Sequence, residues 1–375
     1  MARTSINLLC AIILCAIALS SVGCYAAQSK KLLFVFGDSL FDPGNNQYIK
    51  NSAKPASTWY PYGIDMNNKS TGRFSDGLIV PDYIAQFANL SVVPPYLQPG
   101  ADLTNGANFA SAAGGVLDVN NGVVSTFPAK FLMVNSLKWA QLNLKQQLAY
   151  FKNVAKLISN KVGAQEATKI LGSSVYLFSF GGNDYFRYDS SNADATHSER
   201  VVYMRMVVAN LTNGFKEIYN MGGRKFAIQS VGPLGCLPVI KAVHTDTNGS
   251  CVENFLTHAN QNNKALSNQL SKMAKELSGF KYSIMDYFFN LLYRINNPTK
   301  YGFKEGKIAC CGSGPYNGLN CGGGSYKLCS NPSDYLFFDG GHTSQKANLQ
   351  IAELIWSGVP NVTGPYNVKQ LFELP

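Results

Sequence analysis

Charge is scarce in this chain: only 14% of its 375 residues are Asp, Glu, Lys or Arg. Basic residues outnumber acidic ones, 32 to 22, for a formal net charge of +10, yet no run of five or more Lys and Arg occurs. Such a diffuse basic surface keeps a protein soluble and attracts anionic partners such as acidic polysaccharide or phospholipid headgroups. It lacks the stripe or motif of a nucleic-acid binder, so nucleic acid is excluded as a partner. Low-complexity tracts, internal repeats and obvious linkers are also missing. With 46% hydrophobic residues, the composition is that of a globular protein, neither disordered nor fibrous. No G-x-S-x-G pentapeptide occurs, which excludes the nucleophile elbow of an ordinary α/β-hydrolase.

Also absent is any apolar stretch of the roughly 20 residues needed to span a bilayer. The longest, Leu8 to Leu19, has twelve residues; Arg3 precedes it, and the small residues Cys24 and Ala26 follow. That pattern predicts a cleaved secretory signal over residues 1–26, leaving 27–375 as a single mature domain with no transmembrane segment. The expected destination is the extracellular space, with the vacuole as an alternative.

Cysteine usage fits an oxidising compartment. Of nine cysteines, three lie in the signal, and six remain: Cys236, Cys251, Cys310, Cys311, Cys321 and Cys329. Six cysteines make up to three disulfides in fifteen possible connectivities. Cys236 with Cys251 closes a short loop and is the first expected pair. Adjacent cysteines rarely bond each other, so Cys310 and Cys311 each reach toward Cys321 or Cys329. The C-C-x9-C-x7-C spacing is not the paired C-x-x-C of a zinc ribbon. Five N-x-S/T sequons, at Asn68, Asn89, Asn210, Asn248 and Asn361, are candidate N-glycosylation sites.

Short apolar runs alternate with helical patterns. Leu32–Phe36, Asn105–Ala110, Val175–Phe180, Lys225–Val231, Tyr282–Asp286 and Tyr335–Phe338 read as strands. Asp76–Leu90 (with Asp76 as N-cap), Asn135–Val162, Ser198–Met221, Glu253–Leu277 and Ser344–Trp356 read as helices. The alternation predicts an α/β domain with a mainly parallel sheet and helices on both faces, whose functional residues gather at the carboxyl ends of strands.

Four strand ends carry unusual residues. Ser39 follows a buried strand in the turn Gly37-Asp38-Ser39, where a hydroxyl can face the mouth of the sheet but needs a base to act as a nucleophile. Asp339-Gly340-Gly341-His342 supplies one, because Asp and His three residues apart can hydrogen-bond on a single loop. Asn183 offers a side-chain amide to an oxyanion. The Ser39 amide and the stretch Ala110–Gly115 offer backbone N–H groups, with either Gly114 or Gly115 as donor. Asp38 and Asp42 are expected to brace the serine turn, and Phe41 and Tyr185 are candidates for an acyl pocket. His197, His244 and His258 lack an Asp three residues before them after a strand and are expected to be surface residues.

The blocks F-G-D-S-L-F-D-P-G-N-N (36–46), N-F-A-S (108–111), G-G-N-D-Y (181–185) and D-G-G-H (339–342) resemble those of plant GDSL esterase/lipases of the SGNH superfamily. They occur in the family's order over essentially the whole mature chain. G-P-L-G-C-L-P (232–238) and the A-C-C-G stretch from 309 are similar to that family too. The resemblance implies a three-layer α/β/α flavodoxin-like fold and a triad of Ser39, His342 and Asp339. It also implies a small-molecule or lipid ester substrate and no metal or organic cofactor. Acyl transfer to an alcohol on the same triad and a non-catalytic binding role are the alternatives. Where many members have a proline soon after the histidine, this chain has Thr343-Ser344.

Overall fold

The computed structural model describes residues 30–118 and 140–375. The expected signal segment and the expected helix start at Asn135 lie outside the described residues. Lys31–Pro375 forms one compact unit around a six-stranded sheet in the order β2-β1-β3-β4-β5-β8. Its strands are β1 (Leu33–Gly37), β2 (Ala107–Asn108), β3 (Val175–Ser179), β4 (Lys225–Gln229), β5 (Lys281–Met285) and β8 (Thr363–Pro365). The first five run parallel, and β8 closes the edge antiparallel to β5. β1 and β3 are buried along their whole length, as continuous apolar strands between two helical layers should be.

Side-chain alternation splits the core in two. On one face Phe34, Phe36, Tyr176, Phe178 and Phe226 form a stacked aromatic row, with Phe36 and Phe178 centroids 4.7 Å apart. Phe151 of α2 (Leu144–Val162) and Phe215 of α5 (His197–Asn220) meet this row edge-on. On the other face lie α1 (Val80–Phe87), α9 (Gln345–Ser357) and α10 (Val368–Glu373), joined through the rings of Phe87, Trp356 and Phe372. The doubly wound order with helices on both faces is the flavodoxin-like α/β/α arrangement.

Two readings are corrected. Tyr335–Phe338 is no sheet strand. Leu336, Phe337 and Phe338 are fully buried, but their backbone bonds to Glu305, Cys310, Cys311 and His342, so segments outside the six-stranded sheet, not one of its strands, cover them. Asp76 does not cap α1, whose N-terminal box is closed by the Asp82 side chain on the Ile79 N–H. It accepts instead from the Gln345 N–H at the start of α9, 2.7 Å away. A helix of ten residues, α4 (Gly182–Ser191), follows β3 where the sequence reading assigns no element. The remaining helices are α3 (Ala164–Ser173), α6 (Pro238–Val243), α7 (Glu253–Glu276) and α8 (Tyr287–Asn296).

The disulfides are Cys236–Cys251, Cys310–Cys329 and Cys311–Cys321. The first is the expected pair, and the others settle the open choice between two partners. The segment between residues 302 and 334 holds a two-stranded ribbon of β6 (Cys311–Gly312) and β7 (Lys327–Leu328). Among the described residues no helix is long and apolar enough to cross a membrane.

Candidate active site

Ser39 leaves the sheet at the carboxyl end of β1. Gly37 is required there, because a Cβ would lie 2.7 Å from the Ser179 carbonyl. The Gln147 side chain grips the Gly37 N–H and C=O at 2.9 and 2.8 Å. The turn is then fixed from both sides. Asp38 Oδ1 accepts the Leu40 N–H, and Asp42 accepts from Gly44, Asn45 and, from the neighbouring glycine stretch, Ala112. Both aspartates brace the turn as expected.

His342 stands opposite. Its Nε2 is 2.7 Å from Ser39 Oγ, and its Nδ1 is 2.7 and 2.9 Å from the two Asp339 oxygens. Asp339 Oδ1 also accepts the N–H groups of Gly341 and His342, each at 2.8 Å. Its Oδ2 accepts the Tyr62 hydroxyl at 2.7 Å. The Phe74 ring stacks on the imidazole at 4.7 Å. Burial alone would raise the Asp339 carboxyl; the His342 charge and the hydrogen bonds from His342, Tyr62 and Gly341 outweigh it and hold the group below the usual carboxylate value. An ionised Asp339 keeps the imidazole proton on Nδ1 and leaves Nε2 as the acceptor facing Ser39.

Asn183 sits in the first turn of α4, and its Nδ2 donates to the Gly114 carbonyl at 3.1 Å. Gly114 spends its own N–H on Ser111. The Ser39 and Gly115 N–H groups make no hydrogen bond among the described residues. Ser39, Asn183, Asp339 and His342 line one cavity of about 440 Å³, whereas neither Gly114 nor Gly115 lines it. The glycine stretch is moored to α4 from behind. Asp184 accepts the Val116 and Leu117 N–H groups, Arg187 donates to the Ala113 carbonyl, and a Cβ on Gly115 would fall 2.2 Å from the Arg187 guanidinium.

The apolar wall of the cavity includes Phe180, Phe186, Val231, Leu234, Leu237 and Leu291. Phe41 and Tyr185 are not part of it; both are fully buried in the core, and Tyr185 donates to Asn262. His258 is likewise no surface residue. It is 1% exposed, with Nδ1 on Asp189 and Nε2 on the Arg200 carbonyl. Sequence reasoning missed Tyr62, Phe74 and Arg187, none of which carries a local signature, and it assigned no anchoring role to Asp184 although the residue stands in the G-G-N-D-Y block.

Buried carboxyls dominate the electrostatics around the cleft. Burial pushes Asp38 and Asp76 up to about 7 and Asp42 to about 6. Among the described residues Asp76 Oδ2 has no hydrogen-bond partner. A raised carboxyl means that the native state keeps a proton the unfolded chain has released. The associated stability is complete below pH ~4 and lost as pH rises through about 6 for Asp42 and about 7 for Asp38 and Asp76. Thermal or urea unfolding is therefore expected to show a loss on the order of 1–3 kcal/mol per group between pH 5 and 8. Asp76→Asn should flatten that slope, and an unchanged slope would remove Asp76 as a contributor. Asp339, held low, works in the opposite sense at more acid pH.

A doubly wound parallel sheet with Ser, His and Asp hydrogen-bonded in line at its carboxyl edge defines a class of protein, the flavodoxin-like SGNH type. The chain belongs to the GDSL-like lipase/acylhydrolase family, which it matches over residues 33–355. It is 44% identical to GDSL esterase/lipase 1 of Arabidopsis thaliana over 374 residues, 96% of this chain and 95% of that protein. It is 40% identical to a GDSL lipase of Tanacetum cinerariifolium over 353 residues, 94% and 90% of the two chains. It is also 36% identical to an inactive GDSL esterase/lipase-like protein 25 of Arabidopsis thaliana over 343 residues, 92% and 75% of the two chains.

Proposed function

We propose that this protein is a serine esterase/lipase in which Ser39 is the nucleophile, His342 the general base and Asp339 the group that orients it. The observation that carries the reading is the 2.7 Å contact from His342 Nε2 to Ser39 Oγ, with Nδ1 held by a carboxylate kept ionised. Ser39 Oγ attacks the ester carbonyl while its proton passes to Nε2. The tetrahedral oxyanion takes hydrogen bonds from Asn183 Nδ2 and the Ser39 N–H; neither Gly114 nor Gly115 lines the cavity, so the glycine stretch is given no donor role. On collapse the C–O bond to the alcohol breaks, and Nε2 returns the proton to the departing oxygen. Water, deprotonated by the same nitrogen, then attacks the acyl-serine; the bond to Ser39 Oγ breaks, Nε2 returns the proton to that oxygen, and the acid leaves. Transfer to an alcohol would use the same acyl-serine, and alcohols added to the assay separate the two outcomes by product. The complete Ser–His–Asp set favours catalysis over a purely binding role.

The apolar wall supports a substrate whose acyl part is hydrocarbon. We also propose that residues 1–26 are removed as a secretory signal and that 27–375 work outside the cytosol as one domain. Three disulfides support this, as do side chains exposed at all five sequons. One experiment tests both readings. A fluorophosphonate probe applied to the medium of expressing cells should label a glycosidase-sensitive band beginning at Ala27. The Ser39→Ala protein should stay unlabelled. Labelling that survives the substitution would sink the nucleophile assignment, and a band confined to the cytosol would sink the secretion reading.

A further inference from the structure

Asp339 has a donor that the triad does not account for. The Tyr62 hydroxyl lies 2.7 Å from Asp339 Oδ2, the oxygen that receives no backbone N–H. Tyr62 is 3% exposed and has little freedom to leave. Its ring is held edge-on by Phe74 at 5.7 Å and Phe338 at 5.4 Å, and it packs in one buried cluster with Cys310, Cys311 and Cys321. Gly322, beside the half-cystine Cys321, approaches so closely that a Cβ there would lie 3.0 Å from the ring. The backbone on its N-terminal side is fixed as well, with the Tyr62 N–H on the Trp59 carbonyl.

We propose that Tyr62 is a positioning residue for catalysis, fixing the rotation of the Asp339 carboxylate so that Oδ1 and Nδ1 of His342 stay aligned while charge develops on the imidazole. The inference rests on the triad reading above. Asp339 Oδ1 is set by two backbone N–H groups, but those leave the carboxylate free to pivot about that oxygen. Tyr62 supplies the constraint at Oδ2. Burial, and then the Asp339 charge, push the phenol well above its ordinary value, so it remains a donor throughout the working pH range. A hydrogen bond to a charged acceptor is among the stronger kinds, and a pivoting Asp339 would misalign the base before it touched substrate binding.

The test is Tyr62→Phe, which keeps the ring and deletes the donor. With p-nitrophenyl butyrate, kcat per site is expected to fall about tenfold while KM stays within about twofold. Sites are counted by fluorophosphonate titration, so that a partly misfolded preparation does not mimic the loss. The second arm repeats the substitution in Asp339→Ala. A residue that acts through Asp339 should then cost nothing further, leaving the residual kcat within about twofold, whereas a structural role or a substrate contact would keep its tenfold cost. Full kcat in Tyr62→Phe, or a loss that persists without Asp339, overturns the proposal. Ser39→Ala run alongside separates this failure from failure of the triad reading, since only the latter leaves hydrolysis independent of Ser39.

Discussion

Ser39→Ala is expected to lower kcat for a short-chain p-nitrophenyl ester about ten-thousandfold to a millionfold, and His342→Ala by a similar factor. Oγ and Nε2 are 2.7 Å apart and act as one unit. A serine hydroxyl without a base is a poor nucleophile, and a base without the hydroxyl has nothing to activate. The double substitution should therefore cost no more than either single one. The residual rate over water would come from the oxyanion donors and from binding, which both variants keep. Ser39 is only half-buried, so removing its oxygen strands no buried partner in the core, and the melting temperature should move by no more than ~2 °C. Steady-state rates of the two single variants and the double variant check this. Losses that multiply would mean that Ser39 and His342 work separately, and a small loss in Ser39→Ala would move the nucleophile elsewhere.

Much of this site was legible because its residues are adjacent in sequence. Ser39 follows a run of five apolar residues that reads as a buried strand, and Asp339 with His342 needs one loop to meet. The sheet was legible for the same reason, since β1, β3, β4 and β5 are short blocks with no competing helical period. What stayed hidden depends on contacts between distant segments. Tyr62 is 277 residues from Asp339, and nothing in W-Y-P-Y-G marks it among 20 tyrosines. His258 pairs with an aspartate 69 residues away, so inspecting its sequence neighbours could only call it ordinary. Tyr335–Phe338 misled for the converse reason: burial was read correctly, but apolar residues look alike whether a strand or a folded-back loop covers them. The partners of Cys310 and Cys311 were similarly undetermined, because adjacent half-cystines facing two acceptors have nearly equal loop lengths.

Asp339→Asn is expected to reduce kcat by about a hundredfold to a thousandfold, less than the roughly ten-thousandfold loss found where such a change inverts the imidazole tautomer. The difference follows from the donors around the carboxylate. An amide nitrogen in the Oδ1 position would face the Gly341 and His342 N–H groups at 2.8 Å each, donor against donor in a buried site. In the Oδ2 position it would face the Tyr62 oxygen, which can turn its proton away and accept, and would meet one competing donor, Nδ1 at 2.9 Å, against the two backbone donors at Oδ1. The amide should therefore keep its carbonyl at Oδ1, the nearer oxygen to Nδ1 at 2.7 Å. His342 then retains its proton on Nδ1, and Nε2 still faces Ser39. What is lost is the negative charge that stabilises the imidazolium in the transition state, not the geometry. The rate of fluorophosphonate labelling should fall in proportion to kcat, with KM unchanged. A loss of ten-thousandfold or more would mean that the amide nitrogen faces Nδ1, so that the backbone donors do not govern the orientation of residue 339.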